Sequence, residues 1–239
     1  MRRGVVVGCL LAGFSLVQAI TGVALLHPDV VDAYNRSGEA AQAADYQQAL
    51  VLLEGSLYPE GVRLAVENDD PARRAIVTAA VDTWSRQLQG DNPVRVVSSR
   101  DPHDILVRWV PTIPETAGSH RCALASDHSL GLIRLQKRYR WNRTARELTI
   151  TGTIFVAEDP ESGPLSREEQ RDVVLHELGH LLGLDDRPDV GPLMGPLERG
   201  RPSGQAARDE VESVRTLRRM LRDRISLIQN HAVRASRQP

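Results

Sequence analysis

The chain has 239 residues, of which 41% are hydrophobic and 26% are charged, a composition typical of a soluble globular domain with flanking segments. Its 30 basic and 31 acidic residues give a formal net charge of -1, and only 4% of its residues are aromatic. The charge balance excludes an overall attraction to nucleic acid, and the few aromatic residues argue against base-stacking platforms. We therefore expect no nucleic-acid partner.

The first 26 residues carry the pattern of an export segment. Arg2 and Arg3 precede an uncharged run from Gly4 to Leu26, and a basic start before an apolar stretch is typical of a signal peptide. Val17-Gln18-Ala19 offers a small-residue cleavage site, but the whole run could also span a bilayer of about 30 Å as a helix. We predict a signal peptide or a membrane anchor. Either alternative makes the rest of the chain extracellular, secreted or held at the outer face of the cytoplasmic membrane.

Residues 27–56 are rich in alanine and glutamine, and we predict one short helix there. The segment is interpreted as a stalk or, alternatively, as a short pro-segment. Residues 57–230 form the predicted catalytic domain, and residues 231–239 a polar tail.

Within that domain, strands alternate with helices. Asp70 and Pro71 predict a helix start, as N-cap and first helical residue. Five apolar runs predict strands, at Val62–Val66, Val94–Val97, Ile105–Val110, Leu132–Leu135 and Leu148–Val156. We predict an α+β fold with a mixed sheet backed by helices.

Two further helices follow the strands. Ser166 and Glu169 have the spacing of a capping box, which predicts a helix that continues to Gly183. Past Pro202, apolar residues at helical spacing from Val211 onward predict a C-terminal helix.

The motif that carries chemistry lies on the first of these helices. His176 and His180 are four residues apart and share one helical face, so their ring nitrogens can converge on one zinc ion. Glu177 lies about 100° around the helix from His176. It can reach the attacking water without being a zinc ligand, which suits a general base.

The residues after His180 extend the motif. Gly183 can adopt a positive φ, end the helix and reverse the chain. Asp186 follows three residues later, and its carboxylate is an acceptable third zinc ligand. Two histidines, one carboxylate and an open fourth position describe a catalytic zinc site.

The spacing of His176, Glu177, His180, Gly183 and Asp186 resembles the long zinc motif of the metzincin metallopeptidases. Metzincins also carry a methionine in a turn beneath the metal, and Leu193-Met194-Gly195-Pro196 offers Met194 at the matrixin spacing. The resemblance implies a metzincin-like, matrixin-like fold with a mixed five-stranded sheet, a long active-site helix and a C-terminal helix.

This sequence also departs from the usual family pattern. Most metzincins have histidine at the position of Asp186, where aspartate is the snapalysin-like pattern. Matrixins usually have tyrosine at the position of Gly195. Pro196 stands where astacin- and serralysin-like members carry a switching tyrosine. These departures leave the subfamily open.

The resemblance and the residues together predict a zinc-dependent endopeptidase that acts on peptide or protein substrates, with Glu177 as general base. One alternative is a gluzincin-like peptidase whose third ligand is a later glutamate, Glu198, Glu210 or Glu212. Another is a non-catalytic, zinc-bearing binding module at the cell surface.

Further metal sites are weaker hypotheses. Glu158, Asp159 and Glu161 could bind a structural Ca²⁺, although a solvated acidic turn is the simpler interpretation. A second zinc site could draw on scattered loop residues that match no ligand spacing, namely Asp101, His103, His120, Asp127 and His128.

Overall fold

The computed structural model describes residues 25–113, 120–123, 129–158, 160 and 163–236, with the backbone alone at 120–123 and 129. Only Leu25 and Leu26 of the predicted export segment are among them. In the described ranges no helix combines the length and apolar character needed to cross a membrane.

The described strands form one mixed six-stranded sheet in the order β2-β1-β3-β6-β5-β4. They are β1 Val62–Val66, β2 Val94–Val97, β3 Ile105–Val110, β4 His120–Ala123, β5 Ser129–Trp141 and β6 Arg146–Ala157. Strands β2, β1, β3 and β6 run parallel, whereas β5 is antiparallel to both β6 and β4.

The α+β class and the mixed sheet are confirmed, and each of the predicted strands is present. The sheet has one strand more than the predicted five, since β4 pairs with β5 at the sheet edge. Its sequence, His-Arg-Cys-Ala, lacks an alternating apolar pattern, which is why the sequence did not predict it.

Among the described residues the helices are α1 Pro28–Gln42, α2 Tyr46–Leu57, α3 Pro71–Gln87, α4 Arg167–Leu181 and α5 Arg208–Ser236. Asp70 caps α3 by accepting a hydrogen bond from Arg73 N at 2.9 Å. The capping box at the start of α4 is confirmed: Ser166 Oγ accepts from Glu169 N at 3.2 Å, and Glu169 Oε2 accepts from Ser166 N at 2.7 Å.

Residues 27–56 differ from the single short helix predicted there, because they contain α1 and nearly all of α2. The break falls at Ala44, which has φ 60°, and Asp45 then caps α2. A local pattern rich in alanine and glutamine contains no strong stop signal at this point.

Of three clusters of buried residues, one is small and contains Ile113, Leu132, Phe155 and Ala157, and the other two connect the helices to the rest of the molecule. The larger lies between the sheet and helices α3 and α4. The smaller joins α1 and α2 to the C-terminal helix α5 through Val30, Ala40, Ala49, Leu50, Leu53, Leu57, Leu217, Leu221 and Ile228. The N-terminal helices are therefore packed onto the C-terminal helix as part of the folded body.

Candidate metal centre

The two histidines of the motif lie one turn apart on α4, inside the larger core. His176 and His180 expose 1% and 7% of their surface, and Glu177 exposes 0%. The two imidazole centroids are 4.8 Å apart, with ring planes at 79°. Trp84 of α3 anchors the same helix by donating from Nε1 to Leu175 O at 3.0 Å. A capped helix packed into the core thus fixes both rings.

Backbone carbonyls set the orientation of both imidazoles. His176 Nδ1 donates to Leu193 O at 2.7 Å, and His180 Nδ1 donates to Leu184 O at 3.0 Å. In the neutral ring this leaves the lone pair on Nε2, which is the arrangement found in most metal-ligating histidines. Burial lowers the pKa of His180 below its ordinary value, by more than its interaction with Asp186 raises it. In its neutral form His180 presents the Nε2 lone pair that a metal ion needs.

The chain reverses immediately after the helix, as the glycine predicts. Leu184 N donates to Gly179 O at 3.0 Å, and Gly183 N donates to His180 O at 3.0 Å. This pair of bonds is a Schellman motif, which requires a left-handed residue after the helix cap. Gly183 supplies it with φ +98°. The turn sends the following residues back along the face that carries the histidines.

Asp186 reaches both histidines from this returning segment. Its Oδ1 lies 3.1 Å from His176 Nε2 and 3.4 Å from His180 Nε2, and 47% of its side chain is exposed. Burial acts to raise the pKa of Asp186, but interaction with the two imidazoles outweighs this and lowers the pKa well below its ordinary range. Asp185 turns away, since its Oδ1 accepts from Asp186 N at 3.0 Å. Asp186 is therefore the aspartate that lies beside both imidazoles.

These donors fit a zinc ion. One ligand atom from each of His176, His180 and Asp186 lies within 4.8 Å of the other two, whereas donors around a tetrahedral zinc are about 3.4 Å apart. The Nε2–Oδ1 distances of 3.1 and 3.4 Å are close to that value. Two neutral nitrogens and a carboxylate turn lone pairs toward one another, and a bound cation stabilises such an arrangement.

Met194 lies beneath the histidines, fully buried. A side chain built at Gly179, between the two histidines, would place its Cβ 2.3 Å from Met194 Sδ. The carbonyl that orients His176 belongs to the neighbouring Leu193, so the methionine turn contacts the first of the two histidines directly. Arg187 N donates to Met194 O at 2.8 Å and ties this turn to the segment that carries Asp186.

Steric crowding explains why a glycine follows Met194. Gly195 N donates to Pro192 O at 3.1 Å and closes the turn. A Cβ at Gly195 would lie 1.9 Å from Asp189 O, which no side chain tolerates. A larger residue at this position is therefore incompatible with this loop.

Glu210 braces the same turn, a role that sequence reasoning missed. It is 0% exposed, and its Oε1 accepts from Met194 N at 2.8 Å while its Oε2 accepts from Ala207 N at 2.6 Å. The gluzincin-like alternative used this carboxylate, Glu198 or Glu212 as a ligand. Here Glu210 is bonded to backbone amides, and Glu198 and Glu212 are exposed. The sequence signal that could have revealed this role is a glutamate at the third position of a helix, where glutamate typically caps the helix start.

The described residues of the weaker metal candidates form no second group. Glu158 makes an ion pair with Arg73 of α3, and Asp159 and Glu161 lie outside the described residues, so the calcium hypothesis stays untested. Asp101 and His103 are exposed. The side chain of His120, with Asp127 and His128, lies outside the described part of the chain. In the ranges described, His176, His180 and Asp186 form the one group with metal-ligand geometry.

Comparison with models of known protein families gives no match, and comparison with curated proteins gives none either.

Proposed function

We propose that this protein is an exported zinc-dependent endopeptidase of the metzincin kind. The observation that carries the proposal is the convergence of His176 Nε2, His180 Nε2 and Asp186 Oδ1 above a buried methionine turn. The spacing of the motif, the Schellman reversal at Gly183 and the position of Met194 support membership of that class together.

The ligand residues would hold zinc as two neutral imidazoles and one carboxylate. When bound, zinc supplies a Lewis acid and lowers the pKa of a coordinated water to about 7. The Nδ1 bonds to Leu193 and Leu184 fix the tautomer that leaves Nε2 ready as a ligand. Asp186, ionised and half exposed, holds its carboxylate on the open side of the centre.

Glu177 is the residue proposed to move protons. It directly follows His176 and is absent from the group of ligand atoms, so it is available as a base. It takes a proton from the attacking water and passes that proton to the leaving amine.

A peptide or protein is the proposed substrate. Strand β4 forms the sheet edge beside β5 and precedes α4 in the chain. A substrate in an extended conformation can add to such an edge by backbone hydrogen bonds. The basic and apolar N-terminal run supports export, which would bring the centre to extracellular substrates.

The test is a comparison of wild type with Glu177→Ala. Wild type should cleave a generic substrate such as casein, and a chelator should block the cleavage. Glu177→Ala should lower the rate by at least about 10²–10⁴-fold, the contribution typical of a general base, and should keep about one zinc per chain. Loss of zinc from this variant would contradict the assignment of Glu177. A zinc-loaded wild type that leaves casein and a peptide library intact would favour the non-catalytic binding module.

A further inference from the structure

A short N-terminal segment pairs with the chain that links the second and third metal ligands. Leu26 forms an antiparallel bridge with Leu184. His27 N donates to Gly183 O at 2.9 Å, and Asp185 N donates to Leu25 O at 2.8 Å. We call residues 25–27 the clasp. The clasp satisfies the backbone groups on one side of residues 183–185.

The other side of residues 183–185 faces the metal centre. Leu184 O accepts the hydrogen bond from His180 Nδ1, and Asp186 follows directly after this stretch. The segment therefore sets the orientation of one ligand and carries the next. With its outer edge paired to the clasp, it is held from both sides.

The clasp is itself anchored. His27 caps α1, because its Nδ1 accepts from Asp29 N at 3.1 Å. A Cβ built on Gly183 would lie 3.3 Å from Val30 Cγ2 of α1 and 2.7 Å from Leu217 Cδ2 of α5. Helices α1 and α5 also share the smaller core cluster. The clasp thus links the reversal after α4 to a packed pair of helices.

We propose that the clasp is a positioning element of the metal centre, so that zinc affinity depends on residues 25–27 although none of them is a ligand. The inference rests on the proposed zinc binding and goes beyond it. It also implies that residues 25–27 are not part of a removable leader. Cleavage at Val17-Gln18-Ala19 leaves the clasp in place, whereas removal of the chain through His27 lowers zinc affinity.

One pair of variants isolates the backbone bond. His27 has φ -57° and ψ 135°, which proline adopts without strain, and the bridged Leu26 is extended as a residue before proline should be. His27→Pro and His27→Ala both remove the imidazole cap. Only His27→Pro also removes the backbone N–H that donates to Gly183 O. Ile113→Ala, in a separate buried cluster with Leu132, Phe155 and Ala157 and outside the clasp and its anchoring helices, controls for a general loss of stability.

The measurement is zinc affinity of the full chain by competition with a chelator, well below each variant's melting temperature. We expect His27→Pro to bind zinc about tenfold more weakly than His27→Ala, at the lower end of outer-shell effects. Ile113→Ala should melt at a lower temperature and keep wild-type affinity. Equal affinities for the two His27 variants, or an equal loss in Ile113→Ala, would overturn the role of the clasp.

A second measurement needs no variant. Because coupling is reciprocal, zinc should slow hydrogen exchange at the amides of His27 and Asp185 in the wild-type chain, and unchanged exchange would overturn the inference. If the chain binds zinc but cleaves no peptide, the proposed peptidase activity is wrong, whereas the zinc affinities of the His27 variants still support the clasp. A chain that binds no zinc would overturn both.

Discussion

The two halves of the proposed metal centre are built differently. His176 and His180 lie on one capped helix in the main core, and they expose 1% and 7% of their surface. Asp186 lies on a returning segment and exposes 47% of its side chain. The spacing of the histidines follows from helix geometry alone, whereas the position of Asp186 depends on a turn and on partners far away in the sequence.

This contrast predicts where the centre is sensitive. The helix half is held by a cap and by core packing that would persist without a metal. The loop half is held by the clasp and by the hydrogen bonds of Glu210. Substitutions in the loop half should therefore lower metal affinity, and the loss should be smaller the farther the substituted residue lies from the ligand atoms.

The largest effect is expected at Asp186 itself. Asp186→Ala removes the carboxylate within 3.1 Å of His176 Nε2, and zinc affinity should fall by well over the roughly 10–100-fold typical of outer-shell changes. Asp185→Ala is the matched control, since its carboxylate accepts from Asp186 N and does not face the imidazoles. It should bind zinc almost as tightly as wild type.

Chelator competition measures both variants, and melting temperature gives an independent readout. Saturating zinc should raise the melting temperature of Asp185→Ala, because a ligand that binds only the native state stabilises it by mass action. The rise should vanish for Asp186→Ala at the same zinc concentration. If Asp185→Ala loses the metal and Asp186→Ala retains it, the two aspartates have been assigned in the wrong order.

An intermediate effect is expected one step away, at Glu210. Glu210→Gln replaces one of the two acceptor oxygens by an amide, so either Met194 N or Ala207 N loses its acceptor. Loss of a buried, charge-assisted hydrogen bond should lower the free energy of unfolding by about 1.5–3 kcal/mol. Because Leu193 of the same turn orients His176, zinc affinity should fall by about tenfold.

Glu212→Gln, on the exposed face of the same helix, is the control and should change neither quantity. Urea unfolding and zinc competition provide the two readouts. If Glu210→Gln binds zinc like wild type while the free energy of unfolding falls, the methionine turn and the ligands are uncoupled.

The helix half could be predicted from sequence because its determinants are local. His176, Glu177 and His180 share a helix whose start is encoded by Ser166 and Glu169 at fixed spacing. The reversal could be predicted as well, since a positive φ after a helix is most often supplied by glycine, here Gly183.

The contacts that stabilise the loop half could not be predicted in the same way. The clasp and residues 183–185 are far apart in the chain, and no periodic pattern links them. Glu210 was recognised as a carboxylate near the motif, but residue type does not reveal whether such a group faces a metal or a backbone amide. The packing of α1 and α2 on α5 is also long-range, and it emerges only from the complete fold.

The smallest effect on zinc is expected where the two halves touch by van der Waals contact alone, at Gly179 and Met194. A Cβ at Gly179 would lie 2.3 Å from Met194 Sδ and 3.1 Å from its Cε, so Gly179→Ala must displace the methionine. Overpacking of this kind costs about 1–3 kcal/mol, although alanine is favoured over glycine inside a helix by up to about 1 kcal/mol. Zinc affinity should fall only a few-fold, because thioether side chains are flexible and yield.

A double-mutant cycle makes this contact measurable. Met194→Ala alone should lower the free energy of unfolding by about 2–5 kcal/mol, as a buried methionine leaves a cavity. In that background the methyl group of Gly179→Ala has room, and the substitution should become neutral or stabilising. The expected coupling is about 0.5–3 kcal/mol, measured by urea unfolding of the metal-free proteins. Additive free energies would mean that the methionine turn does not press on the helix between the two histidines, and the hydrogen bonds of His176 with Leu193 O and of His180 with Leu184 O would then be the links between the halves.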